Sequence, residues 1–284
     1  MTLRFASLHN RAHLVSDDGL MALDLEKASS GRFSANPMEA FARWGELREF
    51  AHSVQIYGNV GAVECAVQNL DAPAPRPAQI IAIGINYRQH AEEFGIAIPA
   101  TPLTFTKFPS SVNAPNGDVR LVGDACDWEA EMVLVVGKGG RNISATDAWS
   151  ALAGVCIGQD ISDRELQMAT VPPQFSLGKS RQGFAPFGPW IVDAESLENR
   201  DNLDIMCSVN GELMQSGSTS DMIFDVSNIV EYLSSIVELL PGDVIYTGTP
   251  NGVGNSRQPP RFLHVGDTVV STLQDVGKIT NHCI

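Results

Sequence analysis

In Asp127-Trp-Glu129-Ala-Glu131-Met-Val-Leu-Val-Val136 two glutamates are built into a segment that has no polar face to carry them. The period-two alternation of a strand puts Glu129, Glu131, Val133 and Val135 on one side, with Trp128, Ala130, Met132 and Leu134 on the other. Both sides continue apolar, so the strand belongs inside a sheet that is covered on two faces. Two like charges side by side in such a place are costly unless a cation compensates them. A hard divalent ion does so, and oxygen ligands suit magnesium, manganese or calcium better than zinc. The residues also allow a plainer arrangement, in which Glu129 and Glu131 sit at a strand end in solvent or pair with Arg164 or Lys179.

Asp160 adds a third carboxylate just beyond the apolar run 152–157, and Ser162-Asp-Arg-Glu165 is a capping-box pattern that starts a helix directly after it. Three carboxylates leave coordination positions free for water and a bidentate ligand, which is the layout of a catalytic site rather than a closed structural one.

Around this segment the chain reads as α+β and strand-rich. Strands are expected at 79–83, 103–107, 129–136, 190–192, 203–209, 243–247 and 268–273, with Asn210-Gly211 as a hairpin turn. Asn36-Pro37 starts a helix whose apolar face is Met38, Phe41, Ala42, Trp44, Leu47 and Phe50, and Val226 to Val237 describes a second amphipathic helix. Asp71-Ala-Pro-Ala-Pro-Arg-Pro77 can continue neither a helix nor a central strand. It divides a small N-terminal domain (1–70) from a catalytic domain (79–284), with 71–78 as the linker.

The formal net charge of -14 opposes binding to nucleic acid or to an anionic membrane surface, so an anionic substrate must meet local positive charge. The sequence has no apolar run long enough to span a bilayer and no secretion signal at Met-Thr-Leu-Arg-Phe, which gives the expectation of a cytoplasmic protein. The five cysteines are odd in number and form no Cys-x-x-Cys pair, so they are expected to be small core residues. A nucleophilic Cys156 would lack an adjacent histidine to lower its pKa.

In order along the chain come Asn86-Tyr-Arg-Gln-His90-Ala-Glu-Glu93, Phe105-Thr-Lys-Phe-Pro-Ser-Ser111, Asp127-Trp-Glu-Ala-Glu131, Gln159-Asp-Ile-Ser-Asp-Arg-Glu-Leu-Gln167, Leu177-Gly-Lys179-Ser180, Val209-Asn-Gly-Glu212 and Pro241-Gly-Asp-Val-Ile-Tyr-Thr-Gly-Thr-Pro-Asn-Gly-Val-Gly254. From Ile83 to Asn281 the sequence resembles the fumarylacetoacetate hydrolase family. The resemblance implies a mixed β-sandwich roll preceded by a small α/β domain, paired as a homodimer, with a magnesium-like ion on Glu129, Glu131 and Asp160. It implies Lys179 as cationic partner of the substrate's oxygens, although a plain ion pair with a carboxylate would also explain that lysine. His90 and Glu93, three apart, share a face if helical, and Glu93 can orient the imidazole to take a proton from water. A histidine of this kind can also be structural; the family pattern implies a water-activating dyad on a lid. Arg164, Gln167 and Thr249 are the candidate substrate contacts, with the loop 247–254 turning its amides and the Thr249 hydroxyl toward a ligand carboxylate.

The sequence departs from the family at Gln159, where Asn is common, at Arg181-Gln182, where an aromatic-acidic pair is common, and at Phe175, where Trp is frequent. The expected chemistry is hydrolysis of a carbon-carbon bond in a β-diketone or acylpyruvate-type keto acid through a metal-held enolate. Decarboxylation of an oxaloacetate-like acid, hydration or isomerisation of an unsaturated keto acid, and silent binding of a keto acid are the alternatives.

Overall fold

The computed structural model describes residues 2–284, and a long mixed sheet dominates it. Its strand order is Ala62–Glu64, Met21–Asp24, Arg11–Val15, Arg4–Leu8, Ala185–Asp193, Leu152–Gln159, Ala130–Val136, Val244–Tyr246, Ile80–Gly84, Leu103–Thr106. Only the Val244–Tyr246 and Ile80–Gly84 neighbours on this path run parallel. A second sheet of four antiparallel strands, Glu212–Ser218, Asp204–Val209, Thr268–Leu273 and Gly277–His282, covers one face of the first. The fold is the strand-rich α+β class expected.

The central strand Ala130–Val136 is buried along its whole length, and its two faces enter different cores. Trp128, Ala130, Met132 and Leu134 pack with Ile205, Cys207, Val269 and Ile279 of the second sheet. Val133 and Val135 pack on the other side with Phe187, Tyr246 and the N-terminal Phe5, Phe41 and Trp44. Alternation in an extended chain is enough to produce this division.

The N-terminal strands are extensions of the same sheet, since Arg4 and Phe5 pair with Val192 and Ile191. Trp44 Nε1 and Arg48 Nε both donate to Asp193 Oδ2, at 3.2 and 2.6 Å, which ties the helical segment to the central strands. That segment is two helices, Pro37–Phe41 and Trp44–Ser53, rather than one. Asn36 caps the first as expected, but the chain leaves helical geometry at Arg43, and Phe41 and Trp44 then stack at 5.8 Å with both rings against Phe5. Asn210 and Gly211 both take positive φ (52° and 81°), the geometry of a two-residue hairpin turn.

The helix after Asp160 starts one residue later than the capping box predicts. Ser162 and Asp163 pair with Asp127 and Cys126, and Asp163 Oδ1 accepts from Leu166 N at 3.0 Å to cap Arg164–Gln167. Aspartate caps as well as serine does, and the Ser162 hydroxyl instead donates to Asp160 O. No helix among the described residues is long and apolar enough to cross a membrane. All five cysteines are buried and unpaired, and burial pushes the Cys65 thiol up to about 11 and the Cys207 and Cys283 thiols to about 12.

Candidate metal centre and active site

Antiparallel pairing assembles the carboxylates. Ala130 lies opposite Gln159 and Glu131 opposite Gly158, so Asp160 leaves its strand beside Glu129 and its amide donates to Glu129 O at 2.9 Å. A β-carbon on Gly158 would lie 2.6 Å from Val133 Cγ2 and 2.9 Å from the Tyr246 ring, so only glycine fits this crossing. Glu129, Glu131 and Asp160 are all buried, and each offers an oxygen within 4.8 Å of the others.

Both Glu129 and Asp160 are neutralised by buried cations. Lys179 Nζ donates to Glu129 Oε2 and to Asp160 Oδ2, at 2.6 Å each. Arg164 reaches Glu129 Oε1 at 2.7 Å and grips Asp127 Oδ2 with Nε and Nη2, at 2.9 and 2.6 Å. Lys107 Nζ donates to Asp160 Oδ1 at 2.5 Å and to the Lys179 carbonyl. Glu131 accepts only the Gly248 amide, at 2.7 Å, and faces no cation at salt-bridge distance among the described residues.

Burial, then the charges of Asp160 and Glu129, push the Glu131 carboxyl well above the ordinary glutamate value. For Glu129 burial pushes the same way, but Lys179 and Arg164 outweigh it and hold the group low. Four buried carboxylates, Asp127, Glu129, Glu131 and Asp160, thus meet three buried cations, Lys107, Arg164 and Lys179. An all-oxygen donor set with one uncompensated carboxylate fits a hard divalent cation.

Asn86, Tyr87 and the helix Arg88–Glu93 bring in the dyad. Asn86 Nδ2 donates to Thr247 O at 2.7 Å and Phe224 O at 3.0 Å, and its Oδ1 accepts from Phe224 N. This clamp holds the turn in which Ile85 adopts φ 51°, a left-handed conformation that is uphill for a β-branched residue. His90 Nδ1 lies 3.0 Å from Glu93 Oε2, while Glu93 Oε1 accepts from Gly252 N at 2.9 Å and Ser256 Oγ at 2.5 Å. Partial burial raises the Glu93 carboxyl, yet these hydrogen bonds from His90, Ser256 and Gly252 hold it below its ordinary value.

A cavity of about 110 Å³ is lined by His90, Glu129, Glu131, Arg164, Gln167, Lys179 and Thr249, with Asp160 bonded to Lys179 and Glu93 to His90. The loop 247–254 differs from expectation. Its Gly248, Gly252 and Gly254 amides are spent on Glu131, Glu93 and Asp127, and the Thr249 hydroxyl donates to Ala130 O while accepting from Gln215 Nε2, both at 2.8 Å. The loop therefore braces the protein's own carboxylates, and Thr249 borders the ligand space with its hydroxyl proton already committed.

Two members of the site carry no role in the sequence reading, Lys107 and Asp127. Asp127 shares the strand-face parity of Glu129 and Glu131, a signal that was there to be read. Lys107 gives only the weaker sign of a lysine inside Phe105-Thr-Lys-Phe. The plainer expectation, Glu129 paired with Arg164 or Lys179, is realised with both cations at once. It coexists with the cluster because Glu131 remains uncompensated. Gln159 turns inward, accepting from Glu129 N and donating to Ser271 Oγ, both at 2.8 Å, so it supports the strand from behind.

Residues 79–284 match the family model described as fumarylacetoacetate (FAA) hydrolase C-terminal. The human mitochondrial oxaloacetate tautomerase FAHD2A is 41% identical over 215 residues, covering 75% of this chain and 68% of that protein. A crystal structure from Mycobacterium smegmatis that bears an HpcE name superposes with a TM-score of 0.92 at 44% identity, covering 99% of each chain. The fumarylacetoacetate hydrolase of Exiguobacterium antarcticum gives a TM-score of 0.81 at 30% identity, covering 99% of this chain and 98% of that one. With its catalytic-domain match, its fold and its buried carboxylate cluster, this chain belongs to the fumarylacetoacetate hydrolase family.

Proposed function

We propose that the chain is a divalent-metal-dependent enzyme that moves a proton at the carbon beside the ketone of a small 2-oxo acid, interconverting keto and enol forms. The observation that carries this reading is His90, held at 3.0 Å by Glu93 on the wall of the cavity that also presents Glu129, Glu131 and Lys179. With Nδ1–H given to Glu93, Nε2 keeps its lone pair and serves as the base.

A divalent ion bound at Glu129, Glu131 and Asp160 supplies Lewis-acid charge that makes the carbon acid more acidic. Lys179 gives two of its three N–H groups to Glu129 and Asp160 and keeps one for the substrate's oxygen. Gln167 accepts from Arg164 Nη1 at 3.0 Å, which leaves its own amide N–H groups for the acid's carboxylate. His90 Nε2 takes the carbon proton in one direction and returns it in the other, while the Glu93 carboxylate stabilises the imidazolium. The tautomerase name of the human relative, at 41% identity, supports this choice.

Hydrolysis of a carbon-carbon bond in a β-diketone or acylpyruvate-type acid is the second reading. The same dyad favours it, since an imidazole held by a carboxylate also activates water, and so does the hydrolase name of the Exiguobacterium protein. Proton NMR in D2O distinguishes the two. Proton transfer predicts magnesium-dependent deuterium exchange at the carbon beside the ketone, lost in His90→Ala and unaccompanied by cleavage. Cleavage of an acylpyruvate faster than exchange would select hydrolysis, and neither reaction would reject both.

A further inference from the structure

Glu93 is aimed by a second segment of the chain. Its Oε2 faces His90 Nδ1 at 3.0 Å, and its Oε1 accepts from Gly252 N at 2.9 Å and Ser256 Oγ at 2.5 Å. Neither donor belongs to the helix Arg88–Glu93 that carries the dyad. The donor segment is itself held by the carboxylate cluster. Asp127 Oδ1 accepts from Gly254 N at 2.7 Å, and Asp127 Oδ2 accepts from Asn255 N at 3.0 Å while gripping Arg164. A β-carbon on Gly254 would collide with Arg261 O and lie 2.6 Å from Asp127 Oδ1, so the turn Gly254–Ser256 packs directly on both. The Ser256 hydroxyl has one proton and two acceptors in reach, Glu93 Oε1 and, at 2.9 Å, Val253 O. The ionised carboxylate is the stronger acceptor and the closer one, so the proton goes to Glu93.

We infer that Ser256 is a positioning residue for the base: by fixing Glu93 it keeps the proton of the neutral His90 imidazole on Nδ1 and the lone pair on Nε2. The inference rests on the reading above for the use of that lone pair in proton transfer, and deepens it. Which ring nitrogen carries the proton is set by the partner of the other. A Glu93 carboxylate free to turn away would let the proton pass to Nε2 and remove the lone pair that the reaction needs. Ser256 does not line the cavity, so it acts on the substrate only through Glu93 and His90.

The test pairs nitrogen-15 NMR of the neutral His90 ring, which needs no substrate, with deuterium exchange into oxaloacetate by the magnesium-loaded protein. Ser256→Ala is expected to raise the share of the Nε2–H tautomer. It should also lower kcat by about 10-fold with KM little changed, the effect of losing one hydrogen bond to a charged group. Ser256→Thr keeps the hydroxyl and is expected to restore both; a threonine variant no better than alanine would tie the effect to packing and overturn the inference. Made in a Glu93→Ala background, Ser256→Ala should cost no further activity, whereas an additive loss would show that Ser256 acts by another route. A parent-like tautomer in Ser256→Ala, whatever the rate, would also overturn it. A parent protein that exchanges no deuterium, yet whose His90 tautomer shifts in Ser256→Ala, would sink the proton-transfer reading while leaving the positioning role of Ser256 standing.

Discussion

Glu129 and Glu131 stand two residues apart on one strand face, yet their electrostatic surroundings are opposite. Glu129 is bonded to Lys179 at 2.6 Å and Arg164 at 2.7 Å, whereas Glu131 receives one backbone amide from Gly248. The local field therefore concentrates its demand for positive charge at Glu131, the member of the cluster that an ion would serve best.

Glu131→Gln keeps the volume and can still accept from Gly248 N while removing the uncompensated charge. Its thermal midpoint in chelator is expected to match or exceed that of the parent protein, because a costly buried carboxylate is gone. Magnesium and manganese affinity measured by calorimetry should fall by at least about 100-fold, in line with losing one of few charged ligands. Parent-like affinity would remove Glu131 from the ligand set.

Exchange or cleavage rates test the dyad separately from the ion. His90→Ala should lower kcat by roughly 10²–10⁴-fold, the usual contribution of a positioned acid-base group, with ion affinity nearly unchanged. A parallel loss of ion binding would mean that the helix Arg88–Glu93 shapes the cluster rather than the chemistry.

Glu93 makes a pH prediction with a definite sign. Although burial works against it, hydrogen bonds from His90, Ser256 and Gly252 leave its folded pKa below the ordinary 4.5. The stability it contributes is thus fully present above about pH 4.5 and lost as pH falls through the depressed folded value. Glu93→Gln should flatten that part of the acid-denaturation profile, and two superimposable profiles below pH 4.5 would contradict a stabilising role for the Glu93 hydrogen bonds.

Lys107 and Asp160 form a fully buried pair. Lys107→Met strands Asp160 with Lys179 as its remaining cation and is expected to cost about 3–5 kcal/mol, the range for breaking a buried pair on one side. Chemical denaturation in chelator gives the number, and a loss below 1 kcal/mol would place the pair in contact with water.

The parity of Asp127, Glu129 and Glu131 could be read from the sequence because strand alternation is local, and so could the His90–Glu93 spacing on one helical turn. What surrounds them could not. Lys107 meets Asp160 only after strands distant in sequence pair, and the Gly248, Gly252 and Gly254 amides are consumed by carboxylates from two other segments. Periodicity reports which way a side chain points, not which partner waits there. The same limit explains the helix break at Arg43, which follows from Phe41 and Trp44 both seeking Phe5, and the shift of the cap to Asp163, which follows from the pairing of Ser162 with Asp127.

The most direct test of the shared site is anomalous diffraction from crystals equilibrated with manganese. A single strong peak bounded by oxygens of Glu129, Glu131 and Asp160, absent from Glu131→Gln crystals, is the expected result. A map with no peak between those three carboxylates, at a manganese concentration that supports turnover, would contradict it.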